Sequence, residues 1–285
     1  MKIDSAMVEL EQIEQAHELD PGLLHSGIFA RAYIAFFSAD LGTAQRLLEK
    51  LAPPEHASSV FQSNLAGRAL ALGHLACVRW VVGDAERALE DANATIDLAT
   101  RLEVPILVAL GHVVRARLRY LRRDPLAVIE EECPSALSAA ALDLGLFTEV
   151  SAFALWAKAK RGPLTLAAIE PLLDSLRQRL QQVSTCSTLV AHVLIDVLRI
   201  SGHVAEARQL TDEIITFATA HNESVYLPEL LRIRGEQLEV ADPAGAIREY
   251  RQAITLARAT GARSLERRAS DSLAALEARN APRSG

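Results

Sequence analysis

The tightest group of side chains able to do chemistry in this chain is His192, Asp196 and Arg199, at i, i+4 and i+7 of the apolar run TLVAHVLIDVLRI. That spacing puts an imidazole, a carboxylate and a guanidinium on one helix face, a set that can move a proton and steady a developing anion. It lacks a nucleophile, and the same spacing more simply forms surface ion pairs. His74 and His112 each stand in the tetrapeptide ALGH, and two imidazoles are the beginning of a metal site. Repeating helices bring such residues to successive positions without any metal, so packing with a polar edge is expected of both. The carboxylate runs (Glu9, Glu11, Glu14; Glu130, Glu131, Glu132) are expected on solvated faces. Arg263, Arg267 and Arg268 form a basic cluster for which ion pairing at a cap is expected. No HExxH, GxSxG or Gly-rich loop between a strand and a helix occurs. The expectation is a protein that is not an enzyme and uses neither cofactor nor metal.

Whatever these residues do, a recurring unit positions them. In GDAERALEDANATIDLAT, a small-residue turn and an acidic first helical turn precede apolar residues at Ala85, Ala88, Leu89, Ala92, Ile96 and Ala99. Spacings of three and four draw one stripe along a helix. The small residue Ala88, about five places after its turn, has counterparts at Ala44, Val128, Ala167, Ala207 and Ala246. Their separation stays near 40 residues throughout, the mark of stacked helical repeats. The second ALGH is independent support, since it returns at nearly the same interval.

The pattern predicts helix pairs at 23–52, 58–102, 104–143, 147–181, 185–220 and 225–260, an N-terminal helix over 3–18 and a capping helix over 263–279. Asp124-Pro125 reads as cap residue plus first-turn proline, Asp242-Pro243 as the turn of the sixth pair, and Gly261 as a C-cap. Pro134 is expected to break or kink its helix, and Pro171 to mark another irregularity. The helix over 3–18 has no earlier partner, so it reads either as the second half of a truncated pair or as a cap. No strand pattern or low-complexity tract appears. The fold class expected is all-α, a right-handed superhelix of about six pairs.

These units resemble tetratricopeptide repeats in their longer form of about 40 residues. The segment PELLRIRGEQLEV…DPAGAIREYRQAITLARATGARSLERRASDSLAAL is similar to the C-terminal repeats of the maltose-regulon activator, of large LuxR-type regulators and of cyclase-associated multidomain ATPases. The resemblance implies a superhelical sensor or scaffold portion of a bacterial signalling or transcription regulator. No GxxxxGK[ST] loop is present, so it implies that portion alone.

In such a superhelix the first helix of each pair lines the concave side. The register projects onto that wall Phe29, Tyr33 and Phe36; Cys77 and Trp80; Arg117 and Tyr120; Trp156 and Lys160; His192, Asp196 and Arg199; and Arg232 and Glu236. Aromatic faces beside cations suit a ligand with an apolar body and a carboxylate or phosphate. The partner expected is a peptide, a protein or a small acidic effector, held in the groove by Tyr33, Phe36, Trp80, Arg117, Tyr120, Trp156, Lys160, His192, Asp196 and Arg199. A stand-alone scaffold that associates with itself is the alternative. The formal charge of −6 and pI near 5.8 argue against nucleic acid as a direct partner and against an anionic membrane surface. Half of the residues are hydrophobic, too many for a disordered chain. His192, Asp196 and Arg199 interrupt the most apolar run noted, so no bilayer span is expected. The three widely spaced cysteines, Cys77, Cys133 and Cys186, are expected to be reduced thiols of a cytoplasmic protein.

Overall fold

The computed structural model describes residues 21–53, 64–140, 144–181 and 187–280. The expected helix over 3–18 and Cys186 lie outside them. The described residues form thirteen α-helices and no strand. They are α1 (Pro21–Phe37), α2 (Leu41–Leu51), α3 (Leu65–Val82), α4 (Ala85–Arg101), α5 (Pro105–Arg122), α6 (Leu126–Ala140) and α7 (Leu144–Arg161), followed by α8 (Leu166–Gln181), α9 (Ser187–Ile200), α10 (Val204–His221), α11 (Leu227–Leu238), α12 (Pro243–Thr260) and α13 (Arg263–Asn280).

Local chemistry sets the boundaries. Asp40, Asn64, Asp84 and Asp242 each cap a helix by accepting from a first-turn backbone N–H. Gly83 and Gly261 end α3 and α12 at φ of +105° and +73°, a backbone conformation costly for other residues. Asp124 is not a simple cap, because its carboxylate goes to Arg119 and Arg122 and α6 begins after Pro125. Pro134 and Pro171 both lie inside continuous helices, so the expected break at Pro134 does not occur.

The anchor positions Ala44, Ala88, Ala207 and Ala246 are fully buried. In the third and fourth pairs the buried equivalents are Ile129 and Ile169, whereas Val128 is half-buried and Ala167 exposed. The sequence register is therefore one and two residues early there. In both pairs a proline-led stretch, Pro125 in one and Pro163-Leu164-Thr165 in the other, precedes the start of the helix.

Each helix packs on the next in the chain, and each odd-numbered helix also packs on the following odd-numbered one. The order of contacts then closes: α13 packs on α3. Ser264 Oγ donates to the Trp80 carbonyl at 2.6 Å, and Arg268 Nη1 donates to the Leu121 carbonyl at 2.8 Å. At the other edge, the N–H groups of Ser224 and Val225 donate to the Phe37 carbonyl, and the Phe36 and Tyr226 rings meet edge-on. The last helix thus meets the second pair, and the end of α1 meets the start of α11. By length and composition alone α3, of mean hydropathy 1.3, could cross a bilayer, which the sequence reading overlooked. It is packed by α1, α2, α4, α5 and α13.

The repeated ALGH has a packing cause. A Cβ at Gly111 would stand 2.5 Å from Ile96 Cγ1 and 3.1 Å from the Ile96 backbone nitrogen, where α4 crosses α5. Gly73 meets Leu110 in the same way, and Gly235 meets the Tyr250 ring. Gly111→Ala is expected to lose about 1–3 kcal/mol, although alanine favours helix by about 1 kcal/mol. Gly42→Ala, with nothing within 4 Å of the new Cβ, should be neutral or stabilising. Urea unfolding of the two variants decides: equal midpoints would mean that α4 and α5 can separate without cost.

Candidate functional site

The residues projected onto the concave wall divide into three groups. Arg117 of α5, expected to be an exposed groove cation, is buried. Its Nε and Nη2 donate to both oxygens of Glu149 of α7 at 2.8 and 2.7 Å, and its Nη1 donates to Cys77 Sγ of α3 at 2.8 Å. Burial penalises the cation, but Cys77 and Glu149 outweigh it and hold the guanidinium well above its ordinary pKa. Burial pushes the Cys77 thiol up. Arg117 is thus spent on joining three helices, and its replacement would report stability before any binding. Trp80 is likewise buried, where α13 crosses α3. Phe36 is buried against Phe37 and Tyr226, and Tyr33 sits edge-on to Phe37 and His74.

The second group is a polar centre shared by α5, α9, α11 and α13. Glu229, fully buried, accepts from Arg268 Nε at 3.0 Å, Arg268 Nη2 at 2.7 Å and Arg232 Nη2 at 2.7 Å. His192 Nε2 lies 3.5 Å from the same carboxylate and 3.4 Å from the Tyr120 hydroxyl. Burial alone would raise the Glu229 pKa; Arg232 and Arg268 hold it well below the ordinary range. Burial lowers that of His192 to about 4, so the imidazole is neutral at pH 7. Arg232 also donates to Glu236 and to Ser272. Sequence reasoning found Arg232 and Glu236 but missed Glu229, which reads as an ordinary acidic first-turn residue of α11.

The third group opens outward from this centre. The Tyr120 hydroxyl donates to Asp196 Oδ2 at 2.7 Å, and burial followed by that carboxylate holds the phenol well above its ordinary pKa. Trp156 of α7 stands edge-on to Tyr120, with ring centroids 5.1 Å apart, and Lys160 Nζ lies 5.8 Å over the indole. The indole Nε1 has no acceptor among the described residues. Arg199 bridges Asp196 at 3.4 Å and Glu236 at 2.9 Å. Lys160 is exposed, Trp156 is half-buried, and the Asp196 and Arg199 side chains keep about a third of their surface in water. The result is an aromatic wall, one free ammonium and a half-open ion pair on three successive odd-numbered helices.

His74 Nδ1 hydrogen-bonds the Leu70 carbonyl, whereas His112 Nδ1 meets Glu132, so the two ALGH histidines have different partners. Glu132, expected on a wet face, is buried and also takes Arg115 and Arg119. Arg268 pairs with Glu229, while neither Arg263 nor Arg267 has an ion pair or side-chain hydrogen bond among the described residues. Cys77 and Cys133 are buried free thiols. Among the described residues no group of three or more His, Cys, Asp or Glu side chains is placed to hold a metal ion.

Compared with known proteins, the sequence matches no family model and no curated protein.

Proposed function

We propose that this chain is a binding module, not an enzyme: a right-handed tetratricopeptide-like superhelix of a single turn whose ends meet, serving as the recognition portion of a cytoplasmic bacterial signalling or transcription regulator. Its surface for a peptide, a protein segment or a small acidic effector is the patch of Tyr120, Trp156, Lys160, Asp196 and Arg199. The observation that carries this reading is convergence. Residues separated by 36 to 76 positions, picked out by repeat register, meet within ring and hydrogen-bond contact, and the outermost remain open to water. Lys160 and Trp156 offer a cation beside an aromatic face, which favours a carboxylate attached to an apolar body. The Asp196–Arg199 pair offers a peptide backbone or a second polar group both a donor and an acceptor.

Binding there reaches the centre directly, because Arg199 and Asp196 join Glu236 and Tyr120, which in turn join Arg232 and His192. A ligand that prefers one spacing of α7 and α9 therefore biases the packing of α11 and α13, provided its affinity differs between the two arrangements.

Titration with short acidic peptides, followed by tryptophan emission, tests the assignment. Trp156→Phe is expected to abolish the emission change and Trp80→Phe to leave it. Lys160→Ala should weaken binding about tenfold, the loss of one charge-assisted contact. Arg87→Ala on α4, an exposed arginine beside Asp84, is the control. Equal losses from Lys160→Ala and Arg87→Ala would place recognition elsewhere.

A further inference from the structure

A second feature of the surface stands apart from the aromatic patch. Beside the contact of α13 with α3, a cleft of about 620 Å³ lies between the start of α2, the α3–α4 turn and the start of α13. Its floor is glycine: Gly42 and Gly261 have nothing within 4 Å of an added Cβ, and Gly83 takes the left-handed turn beside the Arg263 stem. One wall carries Arg263 and Arg267, a turn apart on α13, both exposed and neither paired with a carboxylate among the described residues. The next arginine of the same helix, Arg268, points inward and is paired three times. The single carboxylate lining the cleft, Asp84, is already engaged: it caps α4 through the Arg87 N–H and meets the Arg87 guanidinium at 3.8 Å.

We infer that this cleft binds a small multiply charged anion, carrying phosphate or carboxylate groups, and that the bound anion latches the last helix to the first two pairs. Each guanidinium can offer a fork of N–H donors to anionic oxygens, the means by which arginine binds phosphate or carboxylate. A volume of this order suits a molecule of metabolite size. Of the three walls, α2 and the α3–α4 turn are neighbours in the chain and pack on each other, whereas α13 comes from far along the chain and meets α3 with the hydrogen bond of Ser264 to the Trp80 carbonyl. A ligand touching all three binds the closed arrangement and not the open one, so it must stabilise closure. This site is independent of the aromatic patch, and either assignment can fail alone.

Inorganic pyrophosphate and citrate are the probes, each titrated calorimetrically at constant ionic strength. Both or either should bind, and the one that binds identifies phosphate or carboxylate as the preferred group. Arg263→Ala and Arg267→Ala should each weaken the probe about tenfold, and the double variant should show no saturable binding. Because both side chains are exposed and make no ion pair among the described residues, the variants should keep the wild-type circular dichroism spectrum. Gly42→Glu, which places a carboxylate in the open floor, should also block the probe. Hydrogen exchange across α13 should slow at least several-fold with probe in the wild type and stay unchanged in the double variant. Absence of saturable binding by both probes, or undiminished binding in the double variant and in Gly42→Glu, overturns the site. Binding that leaves exchange in α13 unaltered overturns the latch.

Discussion

Glu229→Ala is expected to destabilise the protein by about 3–5 kcal/mol, the usual cost of removing one member of a buried ion pair. The carboxylate is fully buried and takes three hydrogen bonds from Arg232 and Arg268, with His192 close by. Its removal leaves two guanidiniums facing each other in a site closed to water. Only Arg232 keeps a second carboxylate, Glu236. For a chain of this length the thermal midpoint should fall by on the order of 10 °C. Glu229→Gln keeps the shape and one acceptor but not the charge, so it should fall between wild type and alanine. The loss should concentrate at the closure. Hydrogen exchange should rise first in α13, which Arg268 holds to α5 through the Leu121 carbonyl and to α11 through Glu229. The triple replacement Glu229→Met, Arg232→Met, Arg268→Leu should recover part of the stability, since an apolar set has no charge to leave unpaired. A loss below about 1 kcal/mol for Glu229→Ala would mean that water reaches the cluster.

The same cluster shows what could be read from the sequence and what could not. The helices were legible because their boundaries are local. Asp84 and Asp242 cap helices within three residues, and Gly83 and Gly261 end them with left-handed turns. The recurrence of ALGH was legible as well, and its cause, room for a crossing helix at Gly73 and Gly111, follows from close packing. The anchor register held wherever a small residue followed the turn by a constant distance. It failed at Val128 and Ala167, where Pro125 and Pro163 precede helices that start later.

Charge partners across layers were not legible. Arg117 lies 32 residues from Glu149 and 40 from Cys77, and Arg268 lies 39 from Glu229. Apolar periodicity says which face turns inward, but it does not distinguish an arginine facing a solvent-filled groove from one facing a carboxylate on the neighbouring helix. A signal was nevertheless present. The Arg268–Glu229 separation of 39 is close to the repeat length, so opposite charges one repeat apart on the inward face are candidates for pairing. Applied to the first helices, that rule would have joined Arg268 with Glu229. The return of α13 to α3 had no comparable sign, because Ser264 and Trp80 are 184 residues apart and neither residue type announces the contact.

Acid should loosen the protein well above the pH at which ordinary carboxylates protonate, and the buried histidines, His192 first and His74 with it, are the reason. Burial lowers its pKa to about 4, against an ordinary value of 6.5. Glu229 of α11 and Asp196 of its own helix favour the imidazolium; Arg268 of α13 and Arg232 of α11 oppose it, and the Tyr120 hydroxyl of α5 contacts the ring. The unfolded chain therefore takes up a proton near pH 6.5 that the folded chain refuses until about pH 4. Stability from this residue is complete above pH 6.5 and falls as the pH drops from 6.5 toward 4, by about 3 kcal/mol in all at 1.36 kcal/mol per pH unit. His74, also lowered to about 4 by burial, with Arg117 adding to the effect and its Leu70 hydrogen bond opposing, acts in the same direction. Glu229 extends the decline below pH 4.5, since its carboxylate is held charged by Arg232 and Arg268 in the folded chain alone. The urea midpoint should accordingly be flat from pH 8 to 7 and fall from 6.5 to 4, less steeply below pH 6, where Asp91, its pKa raised by burial to about 6, opposes the histidines. His192→Asn, neutral at every pH, should lower the midpoint at pH 7 but flatten the acid limb. If the limb between pH 6.5 and 5 is unchanged in His192→Asn, the proton is taken up elsewhere and the buried imidazole is not what makes the closure sensitive to acid.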